Sequence, residues 1–242
     1  MLELLVGFAV YLAVLSGEGG TSFNFPASIG SQIASHIQRH FHTKVQYLYV
    51  PMLFAAVVFA SVGIAREIEA GYVKVMLSYP MRRRDLFLAK FLSCFLATLA
   101  IVGGAAFAVM FVQNWSVSLY IVSFPFTVFS VLVLLVVQTF YVTCVAAVVA
   151  VLSKNTALSF IGSFGVLYLP DYMSGLIGVK VPFLPPDSTG ILGNFLLLGD
   201  TSAFWRLYDL TTFLEATVVP ILIGAVLFQF SYVYFTRRFD VV

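Results

Sequence analysis

The side chains that could bind a metal or transfer a proton stand in two segments of the chain. The first segment holds all three histidines, His36, His40 and His42, and His36 and His40 are spaced as two metal ligands on one helical face. No acidic residue or cysteine stands beside them, whereas a zinc site needs three or four protein ligands. Apolar residues at 29, 33, 37 and 41 therefore favour an amphipathic helix at a membrane surface over a metal site.

The second segment is a polar island, residues 66–85, between two long apolar runs. Its carboxylate pair, Glu67 and Glu69, has no histidine on the same side to complete an acid–base site. Cys94 and Cys144 lie inside apolar runs and are interpreted as packing residues. The sequence contains no G-x-x-x-x-G-K-[ST] loop to cradle nucleotide phosphates. These residues predict that the chain is not an enzyme and binds no cofactor or metal.

Composition indicates an integral membrane protein. The 242 residues are 61% hydrophobic and only 10% charged, with a mean hydropathy of +1.00, whereas soluble domains carry about 25% charged residues. Residues 45–65 are uncharged, and about 20 apolar residues are enough for a helix to cross ~30 Å of hydrocarbon. The net charge of +2 is small and the basic residues stand in short loops, which excludes a nucleic-acid-binding stripe.

The apolar runs predict an all-α bundle of six transmembrane helices, forming a single domain over residues 1–242. The predicted spans are about 1–16, 45–65, 87–112, 126–152, 156–170 and 213–235, and residues 66–86 form an aqueous loop. Pro170 and Asp171 are expected to end the fifth span. Beyond them, apolar residues alternate with Gly and Pro over 172–198, which predicts a re-entrant or interfacial outer segment packed against protein.

Basic residues predict the orientation, because loops on the cytoplasmic side carry an excess of Lys and Arg. With both termini cytoplasmic, the outer segments hold only Arg39, Lys44, Lys180 and Arg206. The inner segments then hold all the others: Arg66, Lys74, Arg82, Arg83, Arg84, Lys90, Lys154, Arg237 and Arg238. The chain is therefore expected in the plasma membrane as a multi-pass protein with both termini inside. Lys90 is expected to extend toward the inner interface.

Part of the polar island has the pattern of a short amphipathic helix. Tyr72, Val75, Met76 and Tyr79 recur at the spacing of one apolar helical face. Gly71 is expected to allow a sharp change of direction before this helix, and Pro80 to end it. Such a helix suits docking on a soluble partner or anchoring to lipid headgroups, and the spacing alone favours neither.

The island and the chain terminus together resemble type-2 ATP-binding-cassette (ABC) permeases. The resemblance rests on residues 66–72 (REIEAGY), 77–80 (LSYP), 83–86 (RRDL) with Lys90, and the tail 234–240 (YFTRRFD). The corresponding family pattern is Glu-x-Glu-x-Gly-Thr, then a leucine–small–x–Pro step, then a basic–acidic step leading to a lysine. Tyr72 stands where the family has Thr. Six spans in a chain of this length, with a long outer loop before the last, also resemble the family.

The resemblance implies a membrane-spanning permease subunit of an ATP-driven transporter, usually an exporter. It implies a separate ABC ATPase subunit as partner, a second permease chain that is identical or paired, and a short cytoplasmic coupling helix in the first inner loop. The residues it assigns to coupling are Glu67, Glu69, Gly71, Tyr72, Val75, Met76, Tyr79, Pro80, Arg83, Arg84 and Asp85. Membrane lipids are the remaining expected partner.

Polar side chains within the spans are candidates for a substrate pathway. They are Gln138, Thr139 and Thr143 in the fourth span and Gln229 in the sixth. Hydrogen bonds between helices are the commoner role of such residues.

Two other classes remain as alternatives. A stand-alone secondary transporter would fit the prolines that interrupt spans, Pro51 and Pro220, but no repeat relates the two halves. A membrane-embedded enzyme would need acid, base or metal-ligand residues at one depth in the spans. An adjacent ATPase gene would favour the permease over both.

Overall fold

A computed structural model describes residues 48–73, 75, 82–107, 125–177 and 210–238. These ranges are helical and contain no strand, which confirms the predicted all-α class. The helices are α1 Tyr49–Ala60, α2 Arg66–Glu69, α3 Arg83–Phe107, α4 Pro125–Ser153, α5 Thr156–Ile177 and α6 Leu210–Val233. The predicted first span, the three histidines and most of the predicted outer segment lie outside the described residues.

Within the residues that the structure describes, four helical segments are long and apolar enough to cross a membrane. They are Tyr49–Glu69, Arg83–Ala106, Leu132–Ser153 and Glu215–Arg237, and they correspond to the second, third, fourth and sixth spans predicted from the sequence. The fifth predicted span corresponds to α5, whose apolar stretch, Thr156–Pro170, is shorter. The central helix is α4, which packs against α1, α3, α5 and α6.

A π-helical turn, Ser61–Ala65, joins α1 to α2 without breaking the rod. The Arg66 N–H donates to the Ser61 carbonyl five residues back, so this turn contains one residue more than an α-helical turn. Within it, the Ser61 hydroxyl donates to Ser159 Oγ at 3.0 Å, and both side chains are buried. The π-turn therefore lies directly against the beginning of α5.

The last helix approaches α4 closely at Gly224. A Cβ atom at this position would lie 2.8 Å from Phe140 Cε1 and 3.6 Å from the Tyr141 Cα. Any larger residue here would displace the Phe140 ring, in keeping with the small residues that let membrane helices pack closely.

Proline interrupts α6 near its first turns, and α4 repairs the interruption. Pro220 has no N–H, so the carbonyl of Ala216, four residues earlier, lacks its helical donor. Gln138 Nε2 on α4 donates to this carbonyl at 3.0 Å. The Gln138 side chain is only 1% exposed, and its Oε1 has no hydrogen-bond partner within the described part of the chain. A buried amide is thus used to satisfy a backbone group inside the bundle.

We expect the stabilising effect of Gln138 to depend on Pro220. Gln138→Met should lower the free energy of unfolding in detergent, because the Ala216 carbonyl loses its donor. In a Pro220→Ala background that loss should be about 1 kcal/mol smaller, because alanine at this position supplies the missing N–H. Thermal unfolding of the four proteins measures the difference. Equal losses in both backgrounds would contradict the repair.

A second proline does not end its helix. The sequence predicted that α5 stops at Pro170 and Asp171, but the helix continues through Pro170 to Ile177, so this prediction is wrong. Neighbouring groups can compensate for the backbone bond that proline removes from a membrane helix. The carbonyl that Pro170 leaves without its helical donor is that of Val166, four residues earlier. The next carbonyl, that of Leu167, accepts from the Tyr49 hydroxyl on α1 at 3.1 Å.

Candidate functional site

The polar island begins as the direct continuation of the α1 rod and then turns sharply. The α2 helix ends at Glu69, and Gly71 follows with a φ of +74°. The Gly71 N–H donates to the Ile68 carbonyl at 3.1 Å. This bond is typical of a helix that ends with a glycine in the left-handed conformation. The predicted change of direction at Gly71 is therefore confirmed. The backbone is helical again at Tyr72, Val73 and Val75.

Side chains after this turn point in two directions. Val73 is 6% exposed and packs into a crevice lined by Ile68, Phe87 and Phe235. Tyr72 and Val75, two members of the predicted apolar face, are 59% and 58% exposed. Met76, Tyr79 and Pro80 lie outside the described residues. One valine thus anchors the segment, while two large apolar side chains remain on its surface.

A charged contact holds α2 against α3. Glu67 and Lys90 form an ion pair, and their side chains are 24% and 27% exposed. The Lys90 ammonium group lies on the Glu67 carboxylate, and its predicted extension toward the membrane interface stays a prediction. A paired ammonium and carboxylate can be tolerated in this largely buried position, whereas either charge alone would lower the free energy of unfolding.

Glu69 makes a different contact, with the beginning of α5. Its Oε2 accepts from the Thr156 N–H at 2.8 Å and from the Thr156 hydroxyl at 2.5 Å, and its Oε1 accepts from Asn155 Nδ2 at 2.9 Å. Asn155 Oδ1 accepts from the Leu158 N–H at 3.0 Å and thus caps the same helix. Two of the backbone N–H groups that a helix start leaves unpaired are therefore satisfied, one by Asn155 and one by Glu69.

Sequence reasoning did not identify Asn155 and Thr156 as part of the site. An Asn before an apolar run is a signal for a helix start, and it was available in the segment Ser153–Lys154–Asn155 between the fourth and fifth spans. The turn between α4 and α5 is tight: Lys154 has a φ of +51° and its N–H donates to the Ala150 carbonyl at 3.3 Å. Nothing in the sequence links this turn to a carboxylate in the island.

The basic part of the island begins α3. Arg82, Arg83, Arg84 and Asp85 are exposed, and the Arg82 carbonyl accepts from the N–H groups of Asp85 and Leu86. The Arg84–Asp85 ion pair, at 3.6 Å, is half exposed, so its effect on stability is small. These residues present charge at the surface immediately before Leu86 and Phe87, which line the same crevice as Val73.

A cluster of aromatic rings packs next to the island. The buried Phe87 ring lies 5.5 Å from the Phe235 ring, 5.9 Å from Phe228 and 6.3 Å from Phe91, measured between centroids. Because Phe235 and Phe228 belong to the last helical segment, α3 and the end of that segment are joined here. The island, the α4–α5 turn and the end of the last helix therefore share one end of the bundle.

The four candidate substrate-pathway residues lie in two different environments. Gln138, Thr139 and Thr143 are buried on α4, and the two threonine hydroxyls donate to carbonyls one turn earlier at 2.7 Å. Gln229 is exposed on α6. Their role in a pathway stays a prediction.

Comparison with known proteins identifies the family. Within the described ranges no group of three His, Cys, Asp or Glu side chains is placed to hold a metal ion, and the apolar helices indicate a multi-pass membrane protein. The family model of the ABC-2 family transporter proteins matches residues 9–238, which include the polar island and the last helix. Neither the search of curated proteins nor that of solved structures gives a match. The resemblance seen in the sequence is thereby confirmed, and the chain belongs to the ABC-2 family of transporter proteins.

Proposed function

We propose that the chain is the permease subunit of an ATP-driven exporter and that residues 66–86 dock on a separate ATPase subunit. The observation that carries this proposal is the exposed pair Tyr72 and Val75, on a segment whose base is fixed by Val73. An amphipathic helix that enters a groove on its partner is a common recognition mode. Family membership supplies the nature of the partner, because a transporter of this family works with an ATPase.

The island is built as a docking element in which a fixed base presents a defined surface to the partner. The Glu67–Lys90 pair ties its first turn to α3, and the Glu69 contacts tie the same turn to α5. A surface that is held before binding loses less conformational entropy when the partner binds. This arrangement favours docking over the alternative of a loosely held lipid anchor.

The hydrolysis of ATP is assigned to a separate chain because the sequence lacks a phosphate-binding loop. The permease itself would supply the substrate pathway together with a second permease chain, identical or homologous. Gln138, Thr139, Thr143 and Gln229 remain its proposed polar lining. Of these, Gln229 is the exposed one and would meet the substrate or the second chain first.

The proposed location is the plasma membrane, with both termini and the island on the cytoplasmic side. In support, Arg66, Arg84, Lys154 and Arg237 belong to segments that meet at one end of the bundle. Such an accumulation of basic residues is typical of the cytoplasmic side.

Co-purification followed by ATP hydrolysis tests the proposed function. The tagged chain, extracted in mild detergent, should carry an ABC ATPase that mass spectrometry identifies. The purified chain alone should neither bind nor hydrolyse ATP, whereas the complex should hydrolyse it and should lose that activity when the ATPase carries a catalytic mutation. Hydrolysis by the chain alone, or a chain that transports without any ATPase, would contradict the proposal.

A further inference from the structure

The end of α2 and the start of α5 are joined by a carboxylate that receives three hydrogen bonds. The donors are Asn155 Nδ2, the Thr156 N–H and the Thr156 hydroxyl, at 2.9, 2.8 and 2.5 Å from the Glu69 oxygens. These residues are 86 and 87 positions away from Glu69 in the sequence. A negative charge beside the first N–H groups of a helix is also favoured by the helix dipole.

A second contact joins the same two segments nearer the middle of the bundle. The Ser61 hydroxyl donates to Ser159 Oγ at 3.0 Å, and Ser159 lies three residues after Thr156, on the same face of α5. The rod that carries the island is therefore attached to the first turn of α5 at two points, Ser61 and Glu69. The attachment at Glu69 is the one next to Tyr72 and Val75 in the sequence.

We propose that Glu69 is a positioning residue that transmits displacement of the docking segment to α5. The proposal rests on the proposed function, because the displacing partner is the ATPase subunit. Only Ala70 and Gly71 separate Glu69 from Tyr72, so a push on the exposed Tyr72 and Val75 reaches the carboxylate within one turn of chain. From there the three hydrogen bonds carry it to the first turn of α5, which packs against α1 and α4. Glu67 holds α2 on α3 and has no contact with α5 among the bonds described above, so the two carboxylates have different tasks.

A carboxylate that transmits displacement can be distinguished from a local helix cap, because a change on α5 should then also affect the docking segment. If the two segments are coupled, loosening either one must loosen the other. A local cap would stabilise the start of α5 and leave the docking segment unchanged. Amide hydrogen exchange, which reports local opening, can be followed in both segments of one protein.

The first experiment uses the full chain in lipid nanodiscs without a partner. Glu69→Gln should accelerate exchange of the amides at 156–158 roughly fivefold, the factor that corresponds to the loss of a helix cap. Thr156→Val, which removes only a hydroxyl on α5, should accelerate exchange at 70–73, and Thr156→Ser should restore the original rate. Glu215→Gln, the same chemical change at an exposed position at the start of α6, should leave both segments unchanged.

The second experiment adds the co-purified ATPase and traps it with ATP and vanadate. In the unmodified protein, exchange should change in both the docking segment and the first turn of α5. In Glu69→Gln, with the ATPase still bound in equal amount, only the docking segment should respond. A response of α5 that persists in Glu69→Gln, or no effect of Thr156→Val on 70–73, would overturn the proposal. Failure of any ATPase to bind would instead overturn the proposed function, and the first experiment would still decide whether Glu69 couples the two segments.

Discussion

Replacing Lys90 with methionine is expected to destabilise the protein by about 2–4 kcal/mol. The substitution keeps the length and apolar stem of the side chain but leaves the Glu67 carboxylate without its counter-ion. That carboxylate is only 24% exposed, and an uncompensated charge at such a position costs several kcal/mol. Chemical or thermal unfolding of the purified protein in detergent measures the loss. Because the site is partly exposed, we expect a value toward the lower end of those known for buried pairs.

A double variant and an exposed ion pair serve as controls for this prediction. Adding Glu67→Gln to Lys90→Met removes the stranded charge and should recover a large part of the lost stability. Arg84→Met breaks the exposed Arg84–Asp85 pair and should change stability by less than about 0.5 kcal/mol. If Lys90→Met proved as mild as Arg84→Met, the ion pair would not hold α2 against α3.

The combined variant Tyr72→Ala and Val75→Ala is expected to weaken binding of the ATPase at least tenfold. Each side chain is more than half exposed in the permease, and burying one in a partner groove contributes about 1–3 kcal/mol. A loss of about 1.4 kcal/mol corresponds to a factor of ten in affinity. Titration of the purified ATPase against the permease in nanodiscs measures the dissociation constant.

Membrane insertion and folding should not change in this variant, because neither side chain belongs to the core of the bundle. Leu92→Ala with Leu96→Ala is the matched control, since these leucines are similarly exposed but lie on the membrane-spanning part of α3. The control should bind the ATPase normally. Undiminished binding by the Tyr72/Val75 variant would mean that the island acts as a lipid anchor and that docking takes place elsewhere.

Much of the helical layout could be predicted from hydropathy, because long uncharged runs have few structural alternatives in a membrane protein. The position of the island followed from its charged residues, and the turn followed from the glycine at position 71. The π-turn Ser61–Ala65 could not be predicted, because its residues, SVGIA, continue the apolar pattern of α1. The α5 helix continues through Pro170, and prolines are tolerated inside membrane helices, so a local rule for proline ended the helix too early.

The contacts of the site were less predictable than its location. Glu67 and Glu69 both stood out as carboxylates of the island, but their partners come from α3 and from the start of α5. Which of two neighbouring carboxylates meets which helix depends on their rotation about the α2 axis. Hydropathy carries no information on that rotation. For the same reason hydropathy did not indicate that the Gln138 amide donates to the carbonyl that Pro220 leaves unpaired.

The π-turn fixes that rotation. Successive residues of an α-helix are displaced by about 100° around its axis and by about 1.5 Å along it. A turn that contains one surplus residue therefore shifts the direction of every later side chain relative to the direction that a regular α-helix of the same sequence would give. Glu67 and Glu69 face α3 and α5 with this surplus residue present. If all of these residues instead formed a regular α-helix, both carboxylates would be directed roughly 100° away from their partners. Removal of one residue, Val62, would convert the π-turn into an α-helical turn and should leave both carboxylates facing α3 and α5. The π-turn thus determines the direction in which the side chains of α2 point, and the contacts of Glu67 and Glu69 depend on that direction.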